Sequence, residues 1–185
     1  MKLEGTLCAF EDADPGSIAP EEQDRERGQL MRKTVMHNKR ETIGRVDREY
    51  RALDRVVRRL GSKGLAAPVP GFGARARIYR EKWTRKDALA HIVEWKRNQL
   101  RALRKESSDP QLKGLRIHLQ NRVLYRRWHS RPVRAVVTFH RKTHKETMAA
   151  MRHLPDQYFQ KRLSPLWPND LVGHSAEHRR RHLEA

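Results

Sequence analysis

Apolar residues recur every three to four positions from about residue 40 onward, and no strand-like alternation persists anywhere in the chain. Ile43, Val46, Tyr50, Leu53, Val57 and Leu60 form the first stripe, which predicts a helix over residues 40–61 ended by Gly61 and Gly64. Pro68, Pro70, Gly71 and Gly73 punctuate the loop that follows. The run WTRKDALAHIVEW, residues 83–95, opens a second helix. Thr84 can cap it with Asp87 three residues on, and Ala88, Ile92 and Trp95 share one face. This helix continues to about Lys105, where ESSDP breaks it. A third helix is expected over 111–129, with Leu115, Leu119, Val123 and Trp128 inward. Ser130 and Pro132 open a fourth that runs to about His153. Its stripe is Val133, Val136, Val137, His140, His144, Met148 and Met151. A connection with Pro155, Pro165 and Pro168 leads to a last helix starting at Asn169 or Asp170. The fold class is therefore all-α, and the lengths suit a four-helix bundle with an additional helix in a long connection.

Residues 1–35 break this periodicity. EDADPGSIAPEEQDRERG is polar and carries Pro15, Gly16 and Pro20, so an acidic, disordered leader is expected ahead of a helical domain over 36–185. Charge sharpens that boundary. The chain has 41 Lys/Arg against 22 Asp/Glu, a net +19. Residues 1–28 hold 3 Lys/Arg and 8 Asp/Glu, net −5, which leaves the remainder at +24. Such a body attracts polyanions, and non-specific nucleic acid is one candidate partner. No recognition motif accompanies the charge, and a solvated Arg-rich helical surface is the simpler explanation of it. One cysteine, Cys8, excludes an internal disulfide framework. No apolar run is long enough for a bilayer and no secretory signal is visible, so a cytoplasmic protein without a membrane partner is expected.

The ten histidines carry the candidate chemistry. His91 lies on the apolar face of the second helix, between Ala90 and Ile92. His174, His178 and His182 follow one another at four-residue spacing, and residues i and i+4 share a helix face. A neighbouring pair with a third imidazole from a facing helix makes a three-histidine site, which leaves open positions for water or substrate. His140 and His144 form a rival pair, and spacing does not choose between them. Asp87 reads as a first-turn carboxylate, and Trp95 as a packing residue.

WTRKDALAHIVEWKR resembles the W-(S/T)-x-K-D-x-L-A-H-(I/L)-x-x-W signature of the DinB-like superfamily of metal-binding four-helix bundles. The segment from Gln120 to Phe159 and the closing VGHSAEHRRRHLEA resemble the middle and last helices of its ClbS/DfsB-like branch, in the same order. The resemblance implies a divalent transition metal such as zinc, held by His91, His178 and His182, with His174 in the place of a family asparagine. It implies a metal-dependent hydrolase or thiol transferase that detoxifies a small-molecule electrophile. Asn121 matches a recurrent family asparagine that faces the pocket. Tyr50, on the inner face of the first helix, is the candidate acid or hydrogen-bond donor. Members of this superfamily dimerise, so a homodimer is compatible, although no exposed apolar helix face demands one. The alternative from a different class is a basic helical bundle that shields DNA without catalysis.

Overall fold

The computed structural model describes residues 38–69, 71–72, 76, 78–160 and 169–185. The expected acidic leader and most of the connection before the last helix lie outside them. The described residues are mostly helical, and none lies in a strand; an isolated backbone bridge pairs Pro68 with Thr84.

Helix α1 spans Lys39–Ala66, and the Asn38 side chain caps it by accepting from the Glu41 N–H at 2.8 Å. Gly61 was expected to end this helix. It instead makes a kink, at φ 58° and ψ −169°, a conformation open essentially to glycine, and helix resumes beyond it. Helix α2 spans Arg85–Leu103 and starts on the full capping box anticipated from Thr84 and Asp87.

Helix α3 spans Ile117–Trp128, so the helix expected from residue 111 begins six residues later. The cause is local. Asp109 takes the amide of Gln111 on its side chain and those of Leu112 and Lys113 on its carbonyl, which ties residues 109–113 into a turn. Gly114 then adopts φ 74° and breaks the spiral.

Helix α4 spans Val133–His153 and packs extensively on α2, with α1 on α4 and α3 on α2. A one-turn α5, Gln157–Gln160, sits in the connection. The C-terminal segment has three parts: a π-helical turn Asn169–Gly173, α6 over His174–His178, and a π-helical turn Arg179–Glu184.

Apolar side chains gather in two clusters. One includes Leu53, Val57, Leu89, Ile92, Val93, Val136 and Leu183; the other includes Val46, Leu103, Met148, Met151, Phe159 and Leu171. Along α1, α2 and α4, polar residues are buried between the two: Glu49 in α1, Lys96 in α2, His140 and Thr143 in α4. The C-terminal segment is pinned to this belt. Glu49 accepts from Ser175 Oγ at 3.1 Å and from Arg179 at 3.1 and 3.2 Å, while Leu183 is buried in the first cluster. The last turn is thereby held by both an ion pair and an apolar anchor, two residues from the chain end.

Candidate metal centre

Helix α2 aims His91 inward because its polar edge is spent elsewhere. Asp87, which is buried, accepts from the Thr84 N–H at 2.9 Å, Thr84 Oγ at 2.8 Å, Lys86 Nζ at 2.8 Å and lies 2.9 Å from His129 Nδ1. Lys86 in turn donates to the Trp128 and His129 carbonyls at 2.8 Å each, closing the end of α3. Asp87 therefore fastens α2 to α3 and makes no contact with a histidine of the cavity. Burial alone would raise its pKa, but the hydrogen bonds from Lys86, His129 and Thr84 win and hold its carboxyl below the usual value.

With the start of α2 fixed, His91 and Trp95 fall one turn apart on a common face and meet the C-terminal segment. The ring centroids of His91 lie 5.2 Å from His174 and 5.1 Å from His178, and His174 is 4.3 Å from His178. Each of these three imidazoles offers a nitrogen within 4.8 Å of the others, the one such group of His, Cys, Asp or Glu among the described residues. The geometry thus brings together His91 and His178, which the resemblance named, with His174 as the third. His182 stacks on His178 at 5.2 Å and meets Phe72 edge-on at 4.5 Å. The α-helical winding of His174–His178 keeps the i, i+4 pair side by side, whereas the chain passes into a π turn before His182.

These side chains line a cavity of about 440 Å³ with Phe72, Trp95, Ile117, Asn121 and Arg181. Phe72 falls in the loop that Pro68, Pro70, Gly71 and Gly73 punctuate. It is buried, lies against Trp83 at 4.7 Å and forms a wall for His91 and His178, both at 5.3 Å. The one sequence hint was a large aromatic set between Gly71 and Gly73. Trp95 is not simply packing, since its ring borders the cavity 6.0 Å from both His91 and His174. Asn121 is among the residues that line the cavity.

Tyr50 lies elsewhere. Its ring stacks on His144 at 3.6 Å and against His140 at 4.9 Å, and His144 Nε2 is 3.3 Å from Asp47. Tyr50, His140 and His144 are not among the cavity walls.

Residues that line the cavity carry a set of unpaired polar atoms. His91 Nδ1, His174 Nδ1, His178 Nδ1, Trp95 Nε1 and Asn121 Oδ1 are all buried without a hydrogen-bond partner. Buried polar groups are normally satisfied, and each orphan costs about 1–3 kcal/mol. Burial also drives the imidazoles toward neutrality. His91 is pushed well below its ordinary pKa by desolvation and then by the neighbouring His178, His174 and His182. His174 is pushed to about 4 by desolvation and Lys96, and His178 to about 4 by desolvation, His174 and His182. Neutral imidazole is the metal-binding form, so a cation entering here displaces no proton at neutral pH. Three neutral nitrogen donors from two facing helical segments lie close enough together to hold one metal ion.

Comparison of the chain with models of known protein families, with curated proteins and with solved structures finds no match. Among the described residues, no helix is long and apolar enough to cross a membrane.

Proposed function

We propose that this protein is a metal-dependent enzyme of the DinB-like, ClbS/DfsB-like kind, a four-helix bundle that acts on a small reactive electrophile as a hydrolase or thiol transferase. The observation that carries the reading is the convergence of His91, His174 and His178 at the floor of one cavity, each with a buried, unpaired ring nitrogen.

When bound there, a divalent ion supplies Lewis-acid polarisation and lowers the pKa of water. The chain's own residues do the rest. Phe72 and Trp95 exclude bulk water from the floor, and the Asn121 amide, with its oxygen unpaired, orients the incoming molecule. The ring packing against Phe72 fixes the histidines in place. Glu49, through Ser175 and Arg179, holds the last helix at its working distance from α2.

The test is elemental analysis of protein purified without a His tag. About one equivalent of a transition metal is expected in the parent chain and in protein reconstituted with zinc. His91→Ala, His174→Ala and His178→Ala should each lose it. Unchanged metal content in His91→Ala, or no binding after reconstitution, overturns the reading.

A second reading has its own observation. The body's net +24 is accompanied by a surface depression bordered by Arg126, Arg127 and Arg131. Arg127 is already engaged with Glu94, Asp109 and Gln111, which weakens the patch as a phosphate site. DNA shielding requires affinity that falls steeply with salt and is independent of sequence. Affinity that disappears at physiological salt would discard it.

A further inference from the structure

No acidic side chain is among the described walls of the histidine cavity. The nearby carboxylate that acts on His178 and His182 is Glu177, which is exposed and outside the lining. Three neutral imidazoles leave the two charges of a divalent ion uncompensated. Arg181 adds a third positive charge at the mouth, beside His178 and His182. Among the described residues it has no hydrogen-bond or ion-pair partner, unlike its neighbour Arg179, which is held by Glu49 and Glu184. On the opposite side of the cluster, beside His91 and His174, the Trp95 indole N–H is buried and unpaired. Phe72, Trp95 and Ile117 supply apolar walls to the cavity, while Arg181 itself is exposed at its edge.

We propose that the substrate of this cavity is a small molecule bearing a carboxylate, which Arg181 selects at the mouth while Trp95 Nε1–H donates to an acceptor on the same molecule deeper in. The inference rests on the metal site proposed above. A cavity of about 440 Å³ takes a compact organic acid. The guanidinium fork matches the two oxygens of a carboxylate.

The test uses cobalt-loaded protein and two hydroxamates that anchor on the metal and differ only in their tails. Succinic acid monohydroxamate carries a carboxylate, and its monoamide counterpart is neutral and nearly isosteric. Visible absorption of the cobalt follows binding. The acid is expected to bind about tenfold more tightly than the amide. That preference should vanish in Arg181→Ala and survive in part in Arg181→Lys. Trp95→Phe keeps the ring and removes the donor, and should weaken both probes alike. Equal affinities in the parent protein, or a preference unchanged in Arg181→Ala, overturn the carboxylate proposal and leave the metal site standing. Absence of protein-bound cobalt absorption overturns the metal site and the proposal with it.

Discussion

His140 makes the bundle acid-sensitive, and a single substitution isolates its share. The ring is buried in α4 with Nε2 unpaired, stacked on Tyr50. Its pKa is pushed from 6.5 to about 3, by desolvation first and then by Lys96, His144 and Arg141. Asp54, 3.8 Å from Nε2, would favour the charged ring, but its carboxylate is already paired with Arg58 at 2.7 Å and Arg141 at 3.4 Å. Above pH 6.5 the ring is neutral folded and unfolded, and contributes nothing to pH dependence. Below 6.5 the unfolded chain takes up the proton that the folded chain refuses, so stability falls with falling pH until about 3. Between neutral pH and about pH 5 the loss from this residue alone is about 2 kcal/mol. His140→Phe keeps a planar ring against Tyr50 and takes no proton. Guanidinium denaturation of the metal-free protein at the two pH values should show the parent losing about 2 kcal/mol more than the variant. The remaining histidines cancel in that difference. Parallel losses in both chains would refute the claim that His140 is buried uncharged.

His182→Ala should keep its metal within about tenfold of the parent affinity while His174→Ala loses it, by competition with a zinc-responsive dye; the reverse pattern would restore the ligand set implied by resemblance. Asp87→Ala should cost about 3 kcal/mol, because it strands the buried Lys86 and opens the α2–α3 junction; a loss below about 1 kcal/mol in chemical denaturation would contradict that junction. Lys96 is pushed down from 10.5 to about 8, mainly by desolvation, so the folded chain releases its proton first and stability should rise between pH 8 and 10.5. Lys96→Met should flatten that rise, as read from denaturation midpoints across the range.

The apolar stripes were legible because burial dictates them. Val46, Leu53, Val57, Ile92, Val136, Met148 and Met151 all point inward as their spacing predicted. His91 was legible for the same reason, since an imidazole flanked by Ala90 and Ile92 has nowhere to go but the core. The start of α3 was not, because apolar period continues through residues 112–119 while Asp109 and Gly114 impose a turn. Choosing between His174 and His182 was beyond any count of spacing. Both are one nominal turn from His178, and it is the π turn beginning at Arg179 that separates them. Phe72 escaped because no helical period marks it, and its role depends on its ring meeting Trp83 and His91 in space.

The least legible feature is the one that most constrains the site. Glu49 and Lys96 carry charges that no apolar stripe marks, yet both are buried between residues of the two apolar clusters, and Arg179 joins them by pairing with Glu49. Apolar replacement of a buried ion pair is often neutral or stabilising, so this belt is weak evidence for stability as such. Its consequence is positional. Lys96 reaches by its field into both histidine groups, lowering His140 and His144 on one side and His174 on the other. Glu49 fastens the segment that carries His174 and His178 to α1 at one height, since sliding by a turn would leave its carboxylate buried and unpaired. The histidine cavity therefore takes its register from charges that never touch it.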